Sequence, residues 1–408
     1  MKFLHTADLH IGKKIFEQSL LEDQRFLLDQ ITEIALEEKV DAVVIAGDIY
    51  DRTVPSAEAV TLLDGFLTGL VEKGIKVIAV SGNHDSPERV SFADRILEKQ
   101  GLHIAGDYVE PLKTVVLEDE YGPVYFVLLP FVKPAAAGAE SSAEAVEGIL
   151  GRMPTTLDLR SRHVLVTHFF VVGERGEVPE CSDSETDSRV GGLDGVPASL
   201  FAGFDYVALG HIHKPQHMGK GNVYYSGSPL KYSFSEAGDC KAVNIVELGA
   251  ANSGTMMECD ADGQMRLRTE RVQGCEVTLR RVPLTPLHDM RCIRGRLGEL
   301  MKQEILEANR EGRGAGSGLE DYLQVTLTDT EELIDPIGTL RSVYPNVLQI
   351  LLEKNQSSED VVYESRIVGE RKGVAELFGD FYQLLKGESM DEKRWEIVEE
   401  AAAEVDSE

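Results

Sequence analysis

The chain has 408 residues, a formal net charge of -29 at pH 7 and a pI near 4.7. This length exceeds the usual size of one domain, so two or three domains are expected. The acidity excludes a free-standing nucleic-acid binder, which needs a basic face to neutralise phosphates, so a nucleic-acid substrate would require help from another protein. The alternative is that the acidity is a solubility feature spread over exposed faces.

The first 130 residues alternate strand-like and helical segments. Residues 24–37 place Leu27 and Ile31 on one face, as a helix that covers a sheet would. A second helix is expected to begin after Ser56 and to end near Gly74. Together with the apolar strands between them, these helices form a β-α-β-α-β order, which predicts a mostly parallel sheet with right-handed crossovers.

Five apolar segments each end in residue types that bind metals. The segment 41–47 is rich in β-branched residues and stops at Gly47, so it is expected to be a buried parallel strand with Asp48 at its carboxyl end. Four other segments repeat this arrangement, which core packing alone does not explain. The residues that follow the five segments are Asp8, His10, Asp48, Asn83, His84, His168, His211 and His213.

Carboxylate, amide and imidazole donors suit manganese, iron or zinc. Apart from His84 there are seven such groups, too many for one ion, and a shared Asp48 would let two ions lie about 4 Å apart. Their remaining positive charge would attract a phosphate ester, so hydrolysis of a phosphate ester is the expected reaction. His84 is predicted to protonate the leaving alkoxide or to stabilise the transition-state charge, against the alternative of a structural histidine. Asp85 either orients His84 or caps a helix.

The later segments follow in order. Strands near Val115 and over 124–129 are expected to continue the first sheet, and the polar stretch 173–195 is either a mobile loop or a functional lid. Residues 249–263 are expected to be a linker. An arginine-rich α/β region follows, whose arginines either pair with local glutamates or contact phosphates. Its elements are predicted as strand 275–281, helix 293–309, strand 322–328, helix 333–342 and strand 346–352.

The remaining features concern the end of the chain and its compartment. Apolar residues at helical spacing over 374–385 form a stripe that packs either on the chain's own core or on the helices of a partner. The five cysteines are scattered without a CxxC pair, which indicates a reducing compartment and no structural zinc. No apolar run approaches the length of a membrane span, so a cytoplasmic protein is expected.

The ordered motifs carry a family resemblance. The chain resembles the calcineurin-like metallophosphoesterases in the order and spacing of Asp8-Leu-His10, Gly47-Asp48, Gly82-Asn83-His84-Asp85, Thr167-His168 and Gly210-His211-Ile-His213. Residues 4–10 and 225–230 are similar to the SbcD family of bacterial nuclease subunits. The resemblance covers essentially the whole chain.

The resemblance implies an α/β fold, a sandwich of mixed sheets flanked by helices, with a small α/β capping domain and a C-terminal helical tail. The implied bounds are 1–255 for the metallophosphoesterase domain, 265–355 for the capping domain and 356–408 for the partner-binding tail. Two divalent ions are implied, with manganese expected, and His84 takes the catalytic role. One ion is assigned to Asp8, His10, Asp48 and His213, and the other to Asp48, Asn83, His168 and His211.

The implied activity is that of a metal-dependent DNA nuclease subunit. With an SbcC-type P-loop ATPase, whose coiled-coil base binds the tail, it would form an ATP-dependent double-strand exonuclease and single-strand endonuclease. That complex would process DNA ends and hairpins in DNA repair, recombination and replication, as a homodimer of this subunit within a heterotetramer. The partner would also account for the acidity of the chain.

Three alternatives stay open. A phosphomonoesterase or small-molecule phosphodiesterase is disfavoured because small substrates need neither the added domain nor the apolar tail. A binding scaffold without catalysis is disfavoured by the complete set of ligand residues. Arg52 either binds phosphate, as the arginine of a similar block does in serine/threonine phosphatases, or forms a surface salt bridge. No role for Asp51 is carried over, since distant relatives have a histidine there.

Overall fold

The structure is a computed structural model of the chain. It describes residues 1–153, 161–185, 194–259, 265–310, 312, 314–331, 333–353, 394, 395 and 398. The chain divides into two compact units, Met1–Lys354 and Asn355–Glu408, and the fold described below is that of the first unit. The apolar stripe predicted over 374–385 lies outside the described residues.

Most strands of the first unit belong to three sheets. In chain order the strands are β1 (Lys2–Thr6), β2 (Lys14–Ile15), β3 (Gln18–Ser19), β4 (Ala42–Ala46), β5 (Lys76–Val80), β6 (Leu102–Ala105), β7 (Thr114–Asp119), β8 (Gly122–Leu129), β9 (Arg162–His168), β10 (Val171–Val172), β11 (Val196–Pro197), β12 (Tyr206–Gly210), β13 (Gln216–His217), β14 (Val223–Tyr225), β15 (Ala242–Cys259), β16 (Met265–Pro283), β17 (Met290–Gly295), β18 (Tyr322–Leu327) and β19 (Val347–Leu352).

Helices connect and cover these strands. In chain order they are α1 (Leu21–Glu37), α2 (Ala57–Glu72), α3 (Pro87–Val90), α4 (Asp94–Leu97), α5 (Ser142–Gly151), α6 (Leu297–Leu300), α7 (Gln303–Arg310) and α8 (Pro336–Arg341). None of the helices in the described part of the chain is both long and apolar enough to cross a membrane.

The first sheet has the strand order β16-β15-β1-β4-β5-β6. Strands β1, β4, β5 and β6 run parallel, which confirms the predicted β-α-β-α-β order. All five residues of β4 are buried because helices cover one face of the sheet and a second sheet covers the other. Helix α2 begins as predicted, since the Ser56 hydroxyl accepts a hydrogen bond from the Ala59 N–H at 3.2 Å.

The second sheet has the order β13-β14-β12-β9-β8-β7. Its parallel strands include β8, β9 and β12, and β7 pairs antiparallel with β8. The prediction that the strands near Val115 and over 124–129 continue the first sheet is therefore wrong, because both belong to this second sheet. Side-chain pattern identified them as strands, whereas the choice of sheet depends on contacts with β9, more than thirty residues further along the chain.

The two sheets pack face to face as a sandwich with helices outside. The Phe3 ring contacts Phe126 and Tyr206 of the opposite sheet, with centroid distances of 5.5 and 5.6 Å. Helices α1 and α2 cover the outer face of the first sheet, and α5 covers the outer face of the second. In this arrangement the carboxyl ends of β1, β4 and β5 meet those of β9 and β12 at one edge of the sandwich.

Strands β15 and β16 form a long antiparallel hairpin on the first sheet. The linker predicted over 249–263 is therefore wrong for residues 249–259, which extend β15. Their glycine, alanine, asparagine and serine residues are typical of linkers, but the hydrogen bonds to β16 come from the backbone and need no apolar side chains. The strand predicted over 275–281 lies within β16.

Residues 290–352 form a smaller α/β lobe around the parallel sheet β17-β18-β19. Leu323, Val325 and Leu327 of β18 form its core with residues of α8 and β19. The strands predicted over 322–328 and 346–352 and the helix over 333–342 are confirmed. The helix predicted over 293–309 is wrong at its start, because 293–295 continue β17, whose residues alternate between more and less exposed positions. The domain bounds stay predictions.

Candidate metal centre

The five strand ends converge at one edge of the sandwich. Backbone hydrogen bonds join the first two ends, from Asp8 N to Gly47 O and from His10 N to Asp48 O, both at 3.0 Å. The predicted metal-binding residues are thereby brought together from the two sheets. Of these, Asp8, His10, Asp48, His168, His211 and His213 are buried, and Asn83 is partly buried.

Two groups of donors lie side by side. In the first group, the Nε2 atoms of His10 and His213 are 3.2 Å apart, and Asp8 offers an oxygen within 4.8 Å of both residues' ring nitrogens. In the second group, the Asn83 Oδ1 lies 3.0 Å from His168 Nε2 and 3.0 Å from His211 Nδ1.

Asp48 lies between the two groups. Its Oδ2 is 3.6 Å from His10 Nε2 and 3.4 Å from His168 Nε2. The same carboxylate accepts a hydrogen bond from the His84 N–H through Oδ1, at 2.9 Å. Asp48 is therefore the residue that can contact both sides of the site.

The donor set fits divalent cations. Two ligands on one ion with bonds of about 2.1 Å lie about 3.0 to 3.4 Å apart, which is the spacing of the His10 and His213 nitrogens. Burial raises the pKa of Asp8 to about 7, which shows that its charge is poorly solvated. Burial opposes protonation of His168, but the Asp48 charge overrides it and raises the pKa of His168 to about 9. Divalent ions would replace such protons.

The backbone is strained at the same residues. Asp8, His10, Asp48 and His211 have φ values of 54°, 42°, 49° and 102°, in the left-handed region that side chains disfavour. Strain of this kind costs about 1–3 kcal/mol per residue and concentrates at functional sites. The close approach of the strands also requires glycine, since a Cβ on Gly210 would lie 1.9 Å from the Ala46 carbonyl oxygen.

Asp85 braces the loops that carry the donors. Its carboxylate accepts hydrogen bonds from the backbone N–H groups of Ile49, Tyr50 and Gly82 at 3.1, 2.9 and 2.8 Å. Both predicted roles are wrong, because its carboxylate neither contacts His84 nor caps α3. Sequence spacing cannot show this bond set, since Ile49 and Tyr50 belong to a loop 35 residues earlier.

His84 lies at the open side of the site. Its Nδ1 is 3.0 Å from the Asp51 carbonyl oxygen, and its Nε2 is 4.0 Å from Asp48 Oδ2. The side chain is 41 % exposed, so Nε2 can meet a substrate. The Asp51 carboxylate pairs with Lys13 at 2.8 Å, and the 78 % exposed Arg52 lies 3.6 Å from it, as in the salt-bridge alternative.

Several site residues were missed by the sequence analysis. Tyr232 packs its ring against His10 and His213 at 5.3 and 5.5 Å, and its hydroxyl donates to the Leu9 carbonyl at 2.5 Å. Gln24 donates to the His10 carbonyl at 2.7 Å. Gln24 had a detectable signal, because it is an amide on the buried face of α1. The other missed residues, Ser184, Glu185, Glu236 and Lys241, surround His213 and follow no motif.

The remaining histidines and several arginines lie outside the site. His5 is buried and bonds to Tyr206 and the Leu209 carbonyl, in agreement with its prediction as an ordinary strand residue. Three arginines of the basic region pair with carboxylates at 2.6 Å, which favours local pairing over phosphate contact. These pairs are Arg280 with Glu38, Arg291 with Asp321, and Arg294 with Glu353.

Comparison with known proteins agrees with the geometry. The family model described as calcineurin-like phosphoesterase matches residues 1–215. The SbcD component of the SbcCD nuclease of Staphylococcus epidermidis is 30% identical over 358 residues, covering 86% of this chain and 85% of the relative. The chain belongs to the SbcD family of calcineurin-like phosphoesterases. This confirms the family and the α/β sandwich fold predicted from the motifs.

Further similarities extend over the whole chain. The SbcD component of the SbcCD nuclease of Staphylococcus saprophyticus is 29% identical over 407 residues, covering 98% of this SbcD-family chain and 97% of the relative. The family model described as type 5 capsule protein repressor C-terminal domain matches residues 286–385. Among solved structures, a dimetal phosphatase from Danio rerio is 14% identical with a TM-score of 0.38, covering 68% of this chain and 98% of that chain.

Proposed function

We propose that the chain is a metal-dependent DNA nuclease subunit that hydrolyses phosphodiester bonds with two divalent ions, manganese being the expected metal. The observation that carries the proposal is the position of Asp48, whose Oδ2 lies within 3.6 Å of histidines from both donor groups. A carboxylate shared in this way is typical of two-metal hydrolytic sites. The names of the staphylococcal relatives, nuclease components of SbcCD, support DNA as the substrate.

The proposed roles follow from the two donor groups. Asp8, His10 and His213 would hold one ion, and Asn83, His168 and His211 the other, with Asp48 on both. When bound, the ions supply positive charge that attracts the phosphate ester and acidifies the attacking water.

His84 would act on the leaving group. Its Nδ1–H donates to the Asp51 carbonyl, which fixes the ring, and its Nε2 points to the open side of the site. From there Nε2 can donate a proton to the leaving oxygen.

An SbcC-type ATPase is the proposed partner, bound through the tail 356–408. The relatives' names place them in a complex with such a subunit. The net charge of -29 repels DNA, and three arginines of the basic region are already paired with carboxylates. Partner contacts would therefore supply much of the attraction for DNA phosphates. A cytoplasmic location stays a prediction from cysteine usage.

A second copy of the chain is the proposed occupant of an apolar surface beside α2. Phe92 and Ile96 are 81% and 71% exposed there, and Val60 is 45% exposed. Phe92 and Val60 line a largely apolar cavity of about 370 Å3. Exposed apolar groups in such density mark interaction sites. Phe92→Glu is expected to convert a dimer to a monomer in sedimentation equilibrium, and an unchanged mass would contradict the dimer.

The nuclease proposal is tested with purified chain, manganese and labelled linear duplex or single-stranded DNA, with and without an SbcC-type partner and ATP. Asp48→Asn and His84→Gln are expected to abolish cleavage. His217→Gln is the matched control, because His217 is an exposed histidine outside the site that bonds to the Gly221 carbonyl. Brisk hydrolysis of a small phosphomonoester without DNA cleavage would instead establish the phosphatase alternative.

A further inference from the structure

His213 is held by a buried chain of hydrogen bonds behind the metal site. Its Nε2 faces His10, and its Nδ1 points away from the site to the Ser184 hydroxyl at 2.8 Å. That hydroxyl lies 2.8 Å from Glu236 Oε1. Glu236 is completely buried, and its Oε2 accepts from Lys241 Nζ at 2.6 Å.

The direction of these hydrogen bonds follows from the chemistry of the groups. Lys241 keeps Glu236 ionised: burial opposes the charge, but hydrogen bonds and charges of His213 and Lys241 hold the pKa of Glu236 well below its usual range. An ionised carboxylate only accepts, so the Ser184 hydroxyl must donate to Glu236. Ser184 Oγ then accepts from His213, whose proton is fixed on Nδ1.

We propose that Glu236 and Ser184 are positioning residues that keep His213 in the tautomer with a free Nε2 lone pair aimed at the metal site. Carboxylates behind metal-binding histidines act in this way, and their loss typically costs about 10- to 100-fold in metal affinity. The inference rests on the proposed function, in which His213 binds one of the two ions. It assigns the described end of the polar stretch 173–195 a role in orienting that ligand.

Neighbouring contacts hold Glu236 in place. It ends a single helical turn, Phe234–Glu236, and the next residue, Ala237, accepts a hydrogen bond from Lys231 Nζ at 2.8 Å. Lys231 also pairs with Asp289, next to the smaller lobe, at 2.8 Å. Lys241 Nζ additionally donates to the His213 carbonyl at 2.8 Å, so one ammonium fixes both the carboxylate and the histidine backbone.

The test is a titration of the metal-free full chain with Mn2+ by isothermal calorimetry, together with the visible absorption of the Co2+ form. Glu236→Gln and Ser184→Ala are each expected to weaken one of the two binding constants about 10- to 100-fold and to change the Co2+ spectrum. Ser184→Thr keeps the hydroxyl and should restore wild-type binding. These readouts need no DNA cleavage.

Asp119→Asn is the matched control for loss of a buried charge. Asp119 pairs with Arg162 and the N-terminal ammonium at the opposite edge of the sandwich. This variant should lose stability while both metal constants stay unchanged. Unchanged constants in a folded Glu236→Gln chain that still cleaves DNA would overturn the positioning role alone. Weakened metal binding in a chain without nuclease activity would support the positioning role and contradict the proposed function.

If Glu236→Gln does not fold because Lys241 is left unpaired, the Ser184 pair of variants decides the question. The alanine variant removes one exchangeable proton and leaves both buried charges in place. Equal metal affinity in the alanine and threonine variants would then overturn the proposal.

Discussion

Replacing Asp85 by asparagine tests whether one side chain holds together the loops of the metal centre. The carboxylate accepts three backbone hydrogen bonds, with Oδ2 shared by Ile49 and Gly82 and Oδ1 facing Tyr50. An amide offers only one oxygen, so at least one buried N–H would face another donor. An unpaired buried donor costs about 1–3 kcal/mol, and the other bonds lose the strength that the charge gives them, about 1 kcal/mol each. The expected loss is about 3–5 kcal/mol of the free energy of unfolding.

Urea denaturation of the metal-free chain measures this loss as a shift in midpoint at unchanged slope. Asp94→Asn is the matched control, because that carboxylate bonds only to the adjacent Arg95 N–H and lies 3.7 Å from Lys113. It should change the stability by no more than about 0.5 kcal/mol. A loss below about 1 kcal/mol in Asp85→Asn would refute the bracing role, since even one unpaired N–H costs that much.

Three further predictions concern glycine, pH and metal. Gly210→Ala should unfold the site in thermal denaturation, because its Cβ would overlap the Ala46 carbonyl, while Gly65→Ala in open space on α2 should gain about 0.5–1 kcal/mol. Burial opposes ionisation of Asp119, but bonds from Arg162 and the N-terminus hold its pKa below the usual 3.8. Its stabilisation is therefore present above pH 3.8 and lost as the pH falls, so Asp119→Asn should flatten the acid side of the urea-midpoint profile. Calorimetry should show that Mn2+ at one hundred times its Kd adds about 2.7 kcal/mol per occupied site, and that EDTA removes it.

The donors of the site could be predicted because each follows a buried strand. Asp48 comes after five fully buried residues, and His211 and His213 follow a strand that is equally buried. Parallel strands align their carboxyl ends, so such residues are expected to meet. The helices α1 and α2 were predictable for a similar reason, since apolar spacing and capping residues act within a few positions along the chain.

The groups that orient the donors were not predictable in the same way. Glu236 reaches His213 through Ser184, and these three residues lie in separate loops. Likewise Asp85 bonds to Ile49 and Tyr50 instead of to its sequence neighbour His84. Spacing along the chain carries no signal for such contacts, because they depend on how the two sheets stack.

The sequence by itself determined the motif order, the parallel strands that carry the donors and the family, since these depend on local pattern and on residues adjacent in the chain. Tertiary structure alone decided that Val115 and 124–129 join the second sheet and that 249–259 extends a hairpin. It also decided which nitrogen of His213 faces the site, because a tautomer is set by the partners that folding brings to each ring nitrogen.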